Sequence, residues 1–235
     1  MIILKKASYS ETNYDIAFKY FESKFEKGKC RILDVGSGAN PWAIEWITHV
    51  IDKFVDPSHI KNVSKNDIKV FNVDIDDPRE WEIVLDDVEK NGKYDFVICS
   101  HTLEDVNNPK ISCEMINKIG KSGYISMPWK YSEMISFENK NNFGLPYKGY
   151  HHHRWIYQIK NDVLIGYPKM NFHDYVDFNS NLPSNLKGIA FDKYEMVFLW
   201  EDSFDYEFVG PYQMLDNRVG PHRLFDLFEN DDIVL

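Results

Sequence analysis

Five short apolar runs, separated by helix signals, constrain the fold of this chain more than any other feature. Each run is rich in Val and Ile and too short for a helix, as expected of strands buried on both faces of a sheet. They occupy residues 31–35, 48–51, 70–73, 96–99 and 124–127. An amphipathic helix is predicted before them, over residues 12–27. Strand–helix alternation of this kind predicts an α/β fold with a doubly wound, mostly parallel sheet.

Two of the intervening helices carry the same start signal. Asp77-Pro78 predicts an N-cap followed by proline at the first helical position, and the glutamate two residues after the proline would complete a capping box. Asn108-Pro109 repeats this arrangement, and Gly120 is placed to end the second helix. Both pairs therefore predict where a helix begins.

The chain changes character after Pro128. Residues 129–149 are rich in Tyr, Asn, Lys and Gly without clear periodicity, and further strands are predicted at 155–159, 163–167, 191–200 and 206–209, with a hairpin turn at Asn161-Asp162. We therefore predict that residues 1–128 form the α/β core with its N-terminal helix. Residues 129–235 would add an acceptor-side insertion and a β-rich C-terminal extension or cap to the same domain.

Composition excludes some classes of partner and location. The formal net charge is −10, and no block of Lys and Arg suggests a phosphate-binding stripe, which disfavours a nucleic-acid partner. Cys30, Cys99 and Cys113 are scattered, so we expect free, buried thiols in a reducing compartment rather than a zinc site. No signal-peptide pattern and no apolar run of about 20 residues is present. These observations predict a cytoplasmic protein without a membrane span.

The segment RILDVGSGANPW, residues 31–42, carries the strongest local signal. A predicted strand ends at Asp34, and Gly36 and Gly38 allow a tight turn with close approach of a ligand. A turn that serves packing alone is the alternative. The third glycine of a dinucleotide-binding fingerprint is absent, and Asp34 would repel a pyrophosphate but attract a cationic ligand.

Two more carboxylates close the following strands. Asp52 is placed to accept hydrogen bonds from a ribose diol, and Asp74 could accept one from an adenine amino group. Carboxylates at three successive strand ends fit a nucleoside that carries a positive charge and no phosphate. S-adenosylmethionine has this chemistry and is the predicted cofactor.

The ordered segments 34–40, Asp52, Asp74 and YDFVICSHTLEDVNNP (94–109) resemble the motifs of class I S-adenosylmethionine-dependent methyltransferases. The similarity is to a broad group with small-molecule and glycan-modifying members, and GSGANPW resembles a subset found with surface-polysaccharide biosynthesis. The resemblance covers residues 28–130 and implies a Rossmann-like fold. The cofactor-binding residues that we assign on this basis are Asp34, Gly36, Ser37, Gly38, Asn40, Asp52, Lys53, Asp74, Ile75 and Ser100.

Two positions depart from the family pattern. Asn40 replaces a common glycine, which is tolerable because Asn also accepts left-handed backbone angles. Asp105 stands where many members have a histidine, so no acid/base role is carried over to it. The resemblance places His101 under the transferable methyl group. His101 is therefore the first candidate for a catalytic base, the alternative being a hydrogen bond within its own loop.

The run YHHHRW, residues 150–155, is read as part of a strand. Alternation would then place His151 and His153 on one face and His152 on the other, so the three could not easily share a metal. No second set of ligands is recognisable, and we predict no metal site. We instead expect His151 and His153 to contact the acceptor as further catalytic candidates, the alternative being a solvated or packing strand.

These observations predict a methyltransferase that acts on a small polar acceptor, such as a sugar, a nucleotide-sugar or a surface-glycan precursor. Two alternatives remain open. The acceptor could be nucleic acid or protein, or the chain could be a non-catalytic domain that binds the cofactor or mediates an interaction.

Overall fold

The computed structural model describes residues 3–4, 13–39, 41, 45–56, 68–134, 148–170, 173 and 195–211. Its elements, in chain order, are β1 (Ile3–Leu4), α1 (Asn13–Lys24), β2 (Ile32–Val35), β3 (His49–Ile51), β4 (Lys69–Phe71), α2 (Glu82–Asn91), β5 (Phe96–Ser100), α3 (Pro109–Ile119), β6 (Ser122–Pro128), α4 (Lys130–Met134), β7 (Trp155–Lys160), β8 (Val163–Pro168), β9 (Glu195–Glu201) and β10 (Asp205–Phe208).

Among the described residues, the main sheet has seven strands in the order β1-β9-β6-β5-β2-β3-β4. The five strands from β6 to β4 pair in parallel, whereas β9 pairs antiparallel with both β6 and β1. The predicted α/β fold with a doubly wound, mostly parallel sheet is confirmed. Because the five parallel strands point the same way, the carboxyl ends of β2, β3, β4 and β5 lie along one edge.

Helices pack on both faces of this sheet, as alternation along each strand requires. Ile32 of β2 and Phe96 of β5 join the apolar cluster that holds Phe21 of α1. The next residue of each strand points the other way, so that Leu33 joins the cluster formed with α2 and α3. Phe21 and Phe96 meet edge to face with ring centroids 4.8 Å apart. This packing keeps the strands in register and so fixes the positions of the loops that follow them.

The C-terminal part is β-rich, as predicted. β7 and β8 form an antiparallel hairpin, and β10 pairs in parallel with β8 to complete a separate three-stranded sheet. Asn161 and Asp162 have φ values of 52° and 62°, the left-handed angles that a two-residue hairpin turn needs. β9 instead extends the main sheet.

The start predicted for the first of the two capped helices is wrong. α2 begins at Glu82, several residues beyond Asp77. The Asp77 carboxylate accepts hydrogen bonds from the backbone N–H and the guanidinium of Arg79. The Glu80 carboxylate accepts from the backbone N–H of Asp74, at 2.6 Å. Both groups of the expected capping box are thus engaged elsewhere, and the intervening residues form turns.

The second helix follows its prediction. Asn108 is the N-cap of α3, Pro109 occupies the first turn, and Gly120 is the C-cap. Cys30, Cys99 and Cys113 are free and buried, also as predicted. Within the described ranges, no helix has the length and apolar character needed to cross a bilayer.

Candidate active site

A cavity of about 480 Å³ lies at the carboxyl ends of β2, β3, β4 and β5, a size typical of small-molecule sites. Six of the predicted site residues line it: Gly36, Asp52, Lys53, Asp74, Ile75 and His101. Its wall also contains residues that the sequence did not single out for this site, namely Phe54, Val73, Asp76, Thr102, Asp105, Val106, Asn107 and Arg154. The cavity therefore joins four neighbouring strand ends with Arg154, which follows the three histidines.

The glycine turn after β2 packs directly on the loop after β5. Gly36 has a φ of +73°, and a Cβ added to it would lie 2.3 Å from the Thr102 Cγ2 atom. Gly38 also has a left-handed φ, +57°, but a Cβ there would have no described atom within 4 Å. Gly36 is thus required for packing against Thr102, while Gly38 leaves space next to its backbone.

Asp52 connects this turn to the end of β3. Its Oδ2 atom accepts a hydrogen bond from the Gly38 N–H at 2.9 Å, and its Oδ1 atom accepts one from the Phe54 N–H at 2.8 Å. Each carboxylate oxygen can accept two hydrogen bonds. Asp52 can therefore hold the turn in place and still accept hydroxyl donors from a ligand in the cavity.

Lys53 and Asp74 form an ion pair across the cavity wall, with Lys53 Nζ 2.5 Å from Asp74 Oδ2. The hydrogen bond from Lys53 lowers the pKa of Asp74 below its ordinary value, against a smaller effect of burial. The other oxygen of Asp74 accepts from the Asp76 N–H at 3.1 Å. Asp74 is thus ionised at neutral pH, and the neighbouring Ile75 adds an apolar contact surface.

Asp76 has a structural role that the sequence analysis missed. Its carboxylate accepts hydrogen bonds from the backbone N–H groups of Asn107 and Asn108 at 2.9 and 2.8 Å, and from the Asn107 side chain at 3.0 Å. These bonds connect the loop after β4 to the loop after β5. The run Asp74–Asp77 indicated a polar loop, but the groups that donate hydrogen bonds to Asp76 are far from it in the sequence.

Four predicted cofactor residues do not line the cavity. Asp34 is only 2% exposed within β2, which continues to Val35. The Ser37 hydroxyl donates to the Gly38 carbonyl, and the Ser100 hydroxyl pairs with that of Ser126 at 2.7 Å. Gly38 is the fourth, and its backbone N–H donates to Asp52, which does line the cavity. Asn40 lies outside the described residues.

His101 sits between two carboxylates. Its Nδ1 atom is 3.3 Å from Glu104 Oε1, and its Nε2 atom is 3.0 Å from Glu195 Oε1. Burial lowers the pKa of His101, but the two carboxylates outweigh this effect and raise the pKa to about 10. Its φ of 49° is unusual for a residue with a side chain. At neutral pH His101 is therefore an imidazolium that is paired electrostatically with both carboxylates.

The histidine run does not form a strand, so the predicted alternation is wrong. The backbone N–H groups of Arg154 and Trp155 both turn toward the Glu104 carbonyl, and β7 begins only at Trp155. The Nε2 atoms of His152 and His153 each lie 3.9 Å from Asp105 Oδ1. The two rings expected on opposite faces thus approach the same carboxylate, whereas His151 is exposed.

His153 is held in place by a buried carboxylate. Its Nδ1 atom lies 2.6 Å from Glu133 Oε1, and Lys169 Nζ lies 2.6 Å from the other Glu133 oxygen. Burial raises the pKa of Glu133, but His153 and Lys169 together lower it below its ordinary value. Glu133 is therefore ionised and can only accept hydrogen bonds.

Arg154 and Trp155 attach the start of β7 to the loop after β5. The Arg154 Nε–H donates to the Asp105 carbonyl at 2.9 Å, and the Trp155 indole N–H donates to the Val106 carbonyl at 3.0 Å. Arg154 also lines the cavity. Its guanidinium fork is therefore available to an anionic group of a ligand.

Comparisons with solved structures gave several methyltransferases. They include the plantazolicin methyltransferase BpumL in complex with SAH, at 20% identity over 51% of this chain and 47% of that chain, with a TM-score of 0.34. BpumL in complex with a monoazolic desmethylPZN analog and SAH is 16% identical over 80% of this chain and 82% of that chain, with a TM-score of 0.43. The N-terminal domain of EvdMO1 with SAH bound is 15% identical over 65% of this chain and 60% of that chain, with a TM-score of 0.38.

The chain thus spans about half the length of the first of these structures, and similarities of this size carry no inference about its acceptor. No curated protein sequence matched the chain. A family model described as a methyltransferase domain matches residues 11–135, more than half of the chain. The chain therefore belongs to the methyltransferase domain family, within the class I S-adenosylmethionine-dependent enzymes that its motifs resemble.

Proposed function

We propose that this chain transfers a methyl group from S-adenosylmethionine to a small polar acceptor, such as a sugar, a nucleotide-sugar or a surface-glycan precursor. One observation carries the proposal. Gly36, Asp52, Asp74 and His101, from the ends of four neighbouring strands, line a single cavity. Ligands of open α/β sheets bind at such carboxyl ends.

The residues in the cavity fit the cofactor. Asp52 has free acceptor capacity for the ribose hydroxyl groups, and Ile75 offers an apolar surface to the adenine. When bound, S-adenosylmethionine supplies a methyl group that its sulfonium already activates. The work left to the protein is positioning and exclusion of water.

His101 and Glu195 together provide a place for the proton of a hydroxyl acceptor. Because its pKa is raised to about 10, His101 is protonated at neutral pH and cannot accept a proton directly. The Glu195 carboxylate, 3.0 Å from the Nε2 atom of His101, can take the proton of the methyl acceptor. A general base of this kind contributes a rate factor of about 10²–10⁴.

Charge favours a small acceptor over a long polyanion. The net charge of −10 counts against nucleic acid, since such binding depends on neutralising phosphates. Arg154 at the cavity instead suits a single carboxylate or phosphate group on a small molecule. A purely structural interaction domain would not need a cavity lined by Asp52, Asp74 and His101.

A labelling experiment tests the proposal. The chain would be incubated with methyl-labelled S-adenosylmethionine and, separately, with metabolite, glycan, nucleic-acid and protein fractions. We expect label in the metabolite or glycan fraction and less label with the Asp52→Ala variant. Label confined to nucleic acid or protein would refute the small acceptor. Cofactor binding without transfer to any fraction would favour the non-catalytic alternative.

A further inference from the structure

Three side chains that commonly bind metals converge beside the cavity. Asp105 belongs to the loop after β5, and His152 and His153 precede β7. One donor atom from each residue lies within 4.8 Å of the others, and the two Asp105–histidine distances are both 3.9 Å. These separations are too long for hydrogen bonds. The three potential ligand atoms therefore lie close together, and the Asp105 oxygen is not hydrogen-bonded to either histidine nitrogen.

The spacing of these atoms suits a metal ion. Zn²⁺ binds imidazole nitrogen at about 2.0–2.1 Å, so ligands of a tetrahedral site are about 3.4 Å apart. The separations here exceed that value by roughly 0.5–1.4 Å. The side chains of Asp105 and His152 are about half exposed, at 44% and 52%. Small rotations of these two side chains would close the gap, while the backbone stays in place.

A second observation, independent of this spacing, concerns His153. The Glu133 carboxylate lies 2.6 Å from the Nδ1 atom of His153, so that Nε2 is the ring nitrogen that faces Asp105. Metal-binding histidines characteristically donate their other N–H to a carboxylate in this way. Lys169 balances the charge of Glu133.

From this geometry we propose that Asp105, His152 and His153 bind one divalent transition-metal ion, with Glu133 as a positioning residue. Two histidines and a carboxylate leave coordination positions open. Asp105 and Arg154 also line the cavity, so an acceptor oxygen can occupy an open position. The ion would orient that oxygen and lower the pKa of its hydroxyl group. This role rests on the proposed methyl transfer, but binding of the ion does not.

The earlier expectation of a metal-free run depended on two premises. The first was strand alternation, which would have separated His152 from His153. The second was the lack of further ligands in the sequence. The structure replaces the alternation with a turn and brings Asp105 to the two rings, so neither premise holds.

Direct binding of Zn²⁺ tests the proposal. The full chain without an affinity tag would be freed of metal with a chelator and titrated with Zn²⁺ by calorimetry, and with Co²⁺ by absorption. We expect one ion per chain. Asp105→Asn and His152→Ala should each weaken binding at least tenfold, and Glu133→Gln by about 10–100-fold. His151→Ala is the matched control, because it removes a histidine of the same run outside the cluster, and should leave the affinity unchanged.

Asp105 and His152 are exposed, so their variants should keep the fold, which circular dichroism would verify. Absence of Zn²⁺ binding in the unmodified chain would overturn the site. So would equal losses in the His151 and His152 variants together with no loss in Asp105→Asn, since these results would indicate binding by the histidine run alone. S-adenosylmethionine affinity, measured on the same samples, separates the two proposals. If the chain binds Zn²⁺ but transfers no methyl group, the metal site is supported and the proposed function is refuted.

Discussion

The Nε2 atom of His101 lies 3.0 Å from a carboxylate oxygen of Glu195, connecting the end of β5 to the first residue of β9. This contact brings the C-terminal part of the chain to the cavity. Together with the Glu104 carboxylate on the other side of the ring, this contact raises the pKa of His101, so that the ring is a cation at neutral pH.

We expect Glu195→Gln to lower the pKa of His101 from about 10 toward the ordinary value of about 6.5. Nuclear magnetic resonance of the imidazole would follow this titration. Because the folded pKa lies above the unfolded value, the interaction contributes stability that is fully present below about pH 6.5 and is lost as pH rises through about 10. A His101 that titrates near pH 6.5 in the unmodified chain would contradict the ion-pair geometry.

Asp52→Ala should weaken S-adenosylmethionine binding by about 1–3 kcal/mol, the usual cost of losing hydrogen bonds to a charged group. Part of the loss would come from the turn, because Asp52 also accepts the Gly38 N–H. Calorimetry measures the affinity, and Asp86→Ala, which removes an exposed carboxylate from α2, is the control. Equal affinities for the Asp52 variant and the unmodified chain would remove Asp52 from the site.

Gly36→Ala and Gly38→Ala should differ in stability although both positions have left-handed φ angles. Each substitution carries a penalty of about 1–2 kcal/mol for the backbone angle. Gly36→Ala adds an overlap with Thr102 at 2.3 Å, for which overpacking costs about 1–3 kcal/mol more. Urea denaturation would measure both variants. Equal destabilisation would show that the turn does not pack on Thr102 as described.

His49 should make the fold sensitive to mild acid. Its ring packs against Phe71 and Tyr94, at centroid distances of 5.9 and 5.0 Å. Burial lowers its pKa to about 4, against the opposing charge of Asp87. The unfolded chain protonates this histidine near pH 6.5, so its contribution to stability falls as pH decreases from about 6.5 to 4.

His49→Gln should therefore flatten the decline in unfolding free energy between pH 6.5 and 4.5, as measured by urea denaturation. The carboxylates titrate in both chains, so the difference between the two curves isolates His49. Parallel curves would mean that His49 is not buried as a neutral ring.

The strands of the parallel sheet were predictable because their signal is local. Apolar runs such as residues 31–35 and 96–99 are long enough to reveal burial, and Asp52 directly follows β3 as expected, whereas β4 ends at Phe71, before Asp74. The start of α2 was not predictable, because Glu80 bonds to the Asp74 N–H rather than to its expected partner.

The acceptor side of the site depended on contacts between distant segments. Asp105 meets His152 and His153, and His101 meets Glu195, yet no short motif contains either pairing. The strand expected for the histidine run also failed for a non-local reason, since the Glu104 carbonyl binds the backbone immediately before β7. Local sequence patterns therefore indicated which residues of this region matter, but they did not predict how those residues are arranged.

Calorimetry of the unmodified chain with S-adenosylmethionine, and separately with NAD, tests most directly the claim that the strand-end cavity is a methyl-donor site. The account predicts that one S-adenosylmethionine binds per chain and that NAD produces no binding heat, because the glycine turn lacks the dinucleotide fingerprint and the cavity presents carboxylates to its ligand. Binding of NAD in preference to S-adenosylmethionine, or no binding of S-adenosylmethionine by the folded chain, would contradict it.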